Sequence, residues 1–487
     1  MFRTYLNRYV RYFIWNKHHT ILGILAVIAL CSRGFSQPDD STISKKIDTL
    51  IQSLYVREQF NGAILVAMNG RVVYRKAYGK SDFNKNVPFT VSTPCYLASV
   101  SKQFTATGIL ILVDKGLLSL DDPLNKYFPD FPGGESITIK QLLTHTSGIV
   151  NYEELGIDNP GLTNREVYKS LVRHKTLQFQ PGEKYDYSNS GYVLLAMIIE
   201  NVSKMSFSDF MSTYVFEPLE MTRTFICTSA VQRPVLKAYG KFGDESDNIG
   251  NTTGDGGICS TVEDLLKWDQ ALYTSKVVSQ SLVAQAFEPV TLLDGSKSFY
   301  GFGWMIKNDN QKIVYHTGGS GGYRTYIERD LHNHNTIIIL TNIENSPRRE
   351  ISQAIENILN NNRYELPKIP IATKMYRIRN DHGIDSAIRF YKINKATGHG
   401  EYDFGEQELN LLGYKLWSMK NIDEAVEIFK LNIVAYPSSS NAYESLGEAY
   451  LDKGDKNQAE VNFRESLKLD PANQDAIRMM KKIEKAP

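Results

Sequence analysis

Between residues 406 and 482 the chain repeats itself with a period of 34 residues. Leu412-Gly413, Ala425, Phe429 and Pro437 recur as Leu446-Gly447, Ala459, Phe463 and Pro471. A unit of this length cannot bury its apolar face alone, so neighbouring units must stack. Gly and Ala let two helices cross closely, the aromatics fill the space between pairs, and proline ends each unit. This part of the chain can therefore only become a stack of helical pairs. Two units seldom stand alone. Residues 384–391, with Ala387 and Phe390, are expected to supply a worn preceding helix and to dock the stack on the rest of the molecule.

The whole chain has 487 residues, room for two or three folding units. Arg3, Arg8, Arg11 and Lys17 precede an apolar run over residues 21–30. Ten residues are too few to cross a bilayer but suit a secretory signal, with Gly34 and Ser36 as the small residues of a cleavage site before Gln37. Residues 1–36 are read as a signal peptide and the mature protein as periplasmic. A retained membrane anchor is the alternative. With 55 basic against 54 acidic residues, nothing in the charge balance calls for nucleic acid as a partner. Beyond residue 36 lie Cys95, Cys227 and Cys259. Three cysteines cannot all pair, and no CxxC spacing occurs, so they are read as mostly free buried thiols.

Residues 43–362 read as one large α/β domain and 363–405 as a connector. The domain opens with a helical pattern at 43–55, then strand-like runs at 63–68 and 71–77 around Asn69-Gly70, a strong hairpin signal. Strand patterns return at 302–307, 312–317, 325–329 and 336–342, and a helix is expected near 349–360. About 200 mostly helical residues separate the two strand groups. The simplest assembly is a single antiparallel sheet built from both ends, flanked by helices, with a helical subdomain alongside. A cleft between sheet and insert would hold a substrate.

Three motifs fall where that cleft should be. Ser99-Val100-Ser101-Lys102 opens an apolar helical run over 104–113. Residues three apart share a helix face, so Lys102 can reach the Ser99 hydroxyl, while the helix N-terminus favours an alkoxide. Tyr187-Ser188-Asn189 lies between Pro181-Gly182 and another apolar helix. A tyrosine beside Lys102 is expected to have a lowered phenol pKa, and Asn189 offers a donor and an acceptor to lysine and substrate. His316-Thr317-Gly318-Gly319 ends a predicted strand, where glycine lets a substrate backbone lie close. The Gly319 and Ser99 amides would form an oxyanion hole.

As a set, these motifs resemble the serine β-lactamase and penicillin-binding family. The likeness is to its class C-like branch of D-alanyl-D-alanine carboxypeptidases, D-aminopeptidases and esterases. Residues 142–148 (LLTHTSG), 300–304 (YGFGW), Gly256-Gly257 and Ser260-Thr261 add to the likeness, which spans about residues 45–362. It implies a β-lactamase-like fold with Ser99 as acylated nucleophile, Lys102 and Tyr187 as proton-transfer groups, and Asn189, His316, Thr317, Gly318 and Gly319 on the substrate side. No cofactor and no metal are implied. Tyr443, Leu446, Gly447, Tyr450, Ala459 and Phe463 likewise resemble the tetratricopeptide pattern, an all-α domain that would bind a protein or peptide.

One departure redirects the expected chemistry. Class C β-lactamases usually carry Lys where this chain has His316, and a partly protonated imidazole holds a substrate carboxylate less firmly. Weight moves towards an ester, amide or peptide substrate. A D-alanyl-D-alanine carboxypeptidase, transpeptidase or β-lactamase is the alternative, and a repeat-based scaffold with a ligand-sensing hydrolase fold is a third reading. The G-x-S-x-G match at 318–322 precedes another strand and is set aside. His332 and His334 are read as a solvated turn, His145 as a loop support, and Arg324 as either a carboxylate ligand or a surface partner.

Overall fold

The computed structural model describes residues 40–157, 161–228, 236–246, 249–398 and 400–485. The expected signal peptide lies outside them. Among the described residues, no helix is long and apolar enough to cross a membrane.

In chain order, helix α1 (Asp40–Val56) leads into strands β1 (Gly62–Met68) and β2 (Arg71–Tyr78), and a short strand β3 (Cys95–Tyr96) precedes α2 (Lys102–Asp114). Helix α3 (Asn189–Ser203), strands β4 (Phe225–Ile226) and β5 (Ile258–Ser260) and helix α4 (Val262–Ala271) belong to the middle of the chain. Then come β6 (Met305–Ile306), β7 (Ile313–Ser320), β8 (Tyr323–Asp330), β9 (Asn335–Thr341) and α5 (Arg348–Leu359). The main sheet has the order β6-β7-β8-β9-β1-β2, so strands from both ends of the domain do meet. Its pairings are antiparallel, with Leu65 opposite Ile338 and Gly318 opposite Thr325.

Both faces of this sheet are covered, and the strand sequences show it. In β9 the run Ile337-Ile338-Ile339-Leu340 is apolar at every position because successive side chains enter different cores. Ile338 and Leu340 join Leu65, Ile327, Phe104 and Val193 on the side of α2 and α3. Ile337 and Ile339 join Ile64 and Val66 beneath α1 (Ile43, Ile47, Leu50) and α5 (Ile351, Ile355, Ile358).

Two expectations are corrected. Only Met305–Ile306 of the expected strand at 302–307 is extended. Gly303 takes φ +74°, and a Cβ there would stand 2.7 Å from the Lys102 carbonyl oxygen, so the chain turns to press on the start of α2. Cys227 and Cys259 are not free thiols: they form a disulfide with a Cα separation of 5.5 Å, and only Cys95 is a free buried thiol among the described residues. The two lie 32 residues apart in sequence and become neighbours because β4 pairs with β5. Linear spacing carries no signal of that pairing.

The stack of helical pairs forms as expected and extends one pair further back. Helices α6 (Ile371–His382), α7 (Ile384–Thr397), α8 (Glu406–Ser418), α9 (Ile422–Ala435), α10 (Ser440–Asp452), α11 (Lys456–Leu469) and α12 (Gln474–Lys485) follow one another. A core from Ile371 and Ala387 to Leu446 and Ala449 runs through the first pairs. The repeated Gly and Phe are contact partners: a Cβ on Gly413 would meet Phe429 at 2.4 Å, and one on Gly447 would meet Phe463 at 2.9 Å. The stack is docked on the hydrolase-like domain. Lys241 pairs with the buried Glu408 at 2.6 Å, Lys415 with Asp244 at 3.0 Å, and Phe242 packs on Tyr376 with ring centroids 5.0 Å apart.

A fully buried ion pair ties α4 to the sheet. Arg329 Nε donates to Asp269 Oδ1 at 2.6 Å, and the other carboxylate oxygen accepts from Thr336 Oγ1 at 2.7 Å and Gln270 Nε2 at 2.6 Å. Removing one partner of such a pair strands the other charge. Asp269→Ala is expected to cost about 3–5 kcal/mol of unfolding free energy, read from urea denaturation. A cost below about 1 kcal/mol would mean that water reaches Arg329.

Candidate active site

The turn that carries Ser99 is held from both sides. The Leu97 amide donates to the Ile258 carbonyl at 2.8 Å, and the Leu97 carbonyl accepts from Thr325 Oγ1 at 2.7 Å. Ala98 then takes φ +47°, a left-handed conformation that costs a non-glycine residue roughly 1–2 kcal/mol. A short 3₁₀ turn, Ala98–Ser101, follows and runs into α2. Ser99 stays partly exposed while Val100, Ser101 and Lys102 are buried. Gly318 explains itself here: a Cβ at that position would lie 2.1 Å from the Leu97 oxygen, so only glycine lets β7 press against the turn.

Lys102 is fully buried, and its three protons have three acceptors. Nζ stands 3.1 Å from Ser99 Oγ, 2.7 Å from Asn189 Oδ1 and 2.7 Å from the Asp255 carbonyl oxygen. Burial pulls its pKa down to about 8, with the carboxylates of Asp255 and Glu153 pulling the other way. An amine in that range gives up its proton near neutral pH and can serve as a base.

Tyr187 departs from expectation. Its phenol is pushed up rather than down, because burial outweighs every other influence; a hydrogen bond with Ser99 offsets part of this, and Asp255 and Glu153 add to it. Lys102 Nζ sits over the ring, 4.9 Å from its centroid. Tyr187 is therefore a neutral phenol that can donate a proton.

Asn189 uses both ends of its amide. Oδ1 accepts from Lys102, while Nδ2 donates to Glu153 Oε1 at 3.0 Å. The turn before it is fixed by His145, whose Nδ1 accepts from the Ser188 amide at 3.1 Å, so His145 supports the loop as expected. His316 is also corrected. Burial, with Lys102 nearby, pushes its pKa down to about 3, so the ring is neutral and not partly protonated. Nδ1 lies 2.7 Å from the Thr317 carbonyl, which can only accept, so Nδ1 carries the proton and Nε2 accepts from the Tyr300 hydroxyl at 2.9 Å. Both ring nitrogens are used internally. Thr317 is partly exposed and Gly319 exposed along β7.

Several site residues were not legible in sequence. Asp255, buried beside Gly256, accepts from Tyr152 Oη at 2.9 Å and lends its carbonyl to Lys102. Glu153 lies exposed at the mouth. Tyr300, noted only for family likeness, packs on His145 at 4.5 Å and on Tyr185 at 5.9 Å, forming an aromatic wall with Tyr187. Adjacency to Gly256-Gly257 was the one available hint for Asp255. The features set aside behave as read: the 318–322 segment spans β7 and its hairpin turn, with no helix after it, and His334 stacks on Tyr273 at 4.4 Å. Arg324 pairs with Glu344 at 2.9 Å, although it also lies near Gly319, as does Arg348.

Comparison with known proteins agrees with this geometry. A family model described as Beta-lactamase matches residues 47–359, and one described as Tetratricopeptide repeat matches 440–473. Penicillin-binding protein 4* of Bacillus subtilis (strain 168) is 35% identical over 371 residues, covering 71% of this chain and 81% of the relative. The octameric penicillin-binding protein homologue from Pyrococcus abyssi superposes with a TM-score of 0.58 at 28% identity, over 69% of this chain and 81% of that one. D-amino acid amidase from Ochrobactrum anthropi SV3 shares the fold, with a TM-score of 0.57 at 23% identity, over 66% of this chain and 99% of that one.

A buried neutral histidine has a consequence for acid stability. The folded-state pKa of His316, about 3, lies below the unfolded value of 6.5, so the unfolded chain binds more protons between those values. Its contribution is complete above pH 6.5 and is lost as pH falls. From pH 7 to pH 5 it should remove about 2 kcal/mol of stability. His316→Gln is expected to flatten this slope in urea titrations at the two pH values. An unchanged slope would mean that the imidazole protonates in place.

Proposed function

The chain belongs to the beta-lactamase family, and from that premise we propose that Ser99 is the nucleophile through which it hydrolyses an ester, amide or peptide. Members of this family are serine hydrolases. The observation that carries the reading is Lys102 Nζ, 3.1 Å from Ser99 Oγ with its pKa lowered to about 8.

Free-base Lys102 takes the Ser99 proton as Oγ attacks the carbonyl carbon. Negative charge builds on the carbonyl oxygen, opposite the Ser99 and Gly319 amides. The tetrahedral species collapses, and the leaving group departs with the proton that Lys102 took from Ser99, while the neutral Tyr187 hydroxyl donates a hydrogen bond to it. Water then attacks the acyl-enzyme by the same steps in reverse order and frees Ser99. Asn189 keeps Lys102 aligned throughout. His316, neutral and committed to Tyr300 and Thr317, orients the wall without presenting charge.

That neutrality favours an ester, amide or peptide over a β-lactam or a D-Ala-D-Ala peptide, whose carboxylate needs a cation. The penicillin-binding alternative is supported by the names of the relatives and by Arg348 next to Gly319. We place the mature protein in the periplasm. The basic-then-apolar N-terminus supports this, and so does the Cys227–Cys259 disulfide, since such bonds persist in oxidising compartments. The repeats are proposed to bind a protein or peptide.

Intact mass after incubation with a fluorophosphonate should show one adduct on wild type and none on Ser99→Ala. A persistent, Ser99-dependent penicillin adduct would favour the penicillin-binding alternative, and an adduct that survives Ser99→Ala would refute the assignment. Activated-ester hydrolysis should rise with pH and level off above about 8, because the base is lost as Lys102 protonates below that value. Lys102→Met should lower kcat by roughly a hundredfold to ten-thousandfold and abolish that limb.

A further inference from the structure

The helical stack and the hydrolase-like unit do not close completely where they meet. A cavity of about 210 Å³ lies between the end of α1, the loop after β9 and the start of α6. Ligand sites favour such junctions between units. Both signs of charge line it. Arg57 pairs with Glu401 at 3.5 Å and donates to the Pro367 carbonyl at 3.3 Å, and Arg377 pairs with Glu58. Asn345 also lines the cavity. Its Nδ2 donates to the Lys241 carbonyl at 2.8 Å, which joins this wall to the docking contact between Lys241 and Glu408.

Two groups in this lining lack partners, and they are of opposite kinds. Gln59 is only 2% exposed. Its Nε2 donates to the Lys368 carbonyl at 2.7 Å. A carbonyl can only accept, so the orientation of the amide is fixed and Oε1 is left without a hydrogen bond. A buried acceptor in that state destabilises the fold unless something donates to it. Lys374 lies one turn before Arg377 on α6 and, among the described residues, has no ion pair. The two groups call for a ligand that carries a donor at one end and an anion at the other.

We propose that this cavity is a second binding site, separate from the cleft, which takes a small free α-amino acid and fastens the helical stack to the hydrolase-like unit. At pH 7 such a molecule carries both an ammonium and a carboxylate. The ammonium donates to Gln59 Oε1 and to Glu401, and the carboxylate accepts from Lys374 Nζ. Walls of mixed charge favour this zwitterion over a plain amine or a plain acid. The volume, equal to about seven waters, limits the ligand to a small one. The proposal does not depend on the Ser99 reading, because the cavity shares no lining residue with the site around Lys102.

The test is equilibrium dialysis of the full-length protein against radiolabelled alanine, in both enantiomers, at pH 7. One saturable site per chain is expected for at least one enantiomer. Lys374→Ala and Gln59→Leu should each weaken that binding roughly tenfold or more. Because Gln59 is buried, the exposed Lys374 decides the matter: an unchanged affinity in Lys374→Ala would place the amino acid elsewhere and overturn the proposal. Unlabelled glycine should displace the alanine, whereas acetate or methylamine alone should not. Displacement by acetate as efficient as that by glycine would mean a plain anion site and would overturn the amino-acid assignment. No saturable binding of either enantiomer would mean a cavity that holds only water, and the proposal would fall.

Discussion

A single buried ammonium organises the catalytic half of this molecule. Burying a charge is tolerable only when every proton on it has an acceptor. Lys102 finds its three on separate segments: the turn before α2, the head of α3 and the loop before β5. Those segments must meet at one point, and much of the surrounding packing serves that meeting. Thr105 Oγ1 donates to the Gly254 carbonyl at 2.8 Å, and Gly254 takes φ +98° because a Cβ would fall 2.3 Å from the Tyr192 oxygen. Gly303 gives way to the Lys102 backbone from the opposite side. The burial that requires these acceptors also brings the lysine into the range of a useful base.

The same dryness acts on its neighbours with the sign that their charge dictates. Burial lowers the cationic forms of Lys102, His145 and His316 and raises Tyr187 and Tyr300. The aromatic wall is thus a neutral, hydrogen-bonded surface in which protons are shared and net charge is absent. Polarity is left to the rim, where Glu153 is wet and the Asn189 amide connects it to the interior.

Much of this was legible from residues alone. Ser99 and Lys102 were legible because helical periodicity fixes what i and i+3 can share. The sheet was legible because β1, β2, β8 and β9 are long and strongly patterned. The Gly-Phe contacts of the repeats were legible because they recur. Depth was not legible. The direction of the Tyr187 shift and the neutrality of His316 depend on how much protein covers each ring, and neighbours in sequence do not report that. Pairings across long separations were equally hidden: Cys227 meets Cys259 through a strand pairing, and Asp255 meets Lys102 through a carbonyl, a group every residue carries. The strand expected at 302–307 failed because glycine at 301 and 303 bends a chain whose side chains alone suggest extension.

The docked repeats place a second demand on the same framework. Lys241 and Asp244, which meet α8, sit in a loop whose Ser246 carbonyl accepts from the Gly322 amide at 2.8 Å. Gly322 lies in the turn between β7 and β8, the hairpin that forms the exposed side of the cleft. Its place against Tyr239 admits no Cβ, which would stand 2.3 Å from a backbone nitrogen. The helical stack is therefore braced against the hydrolase-like unit and does not trail from it on a tether. Anything gripped by those helices would be presented to the cleft at a constant bearing and distance. The molecule would then behave as a jig, which selects by where a bond is held as well as by what surrounds it.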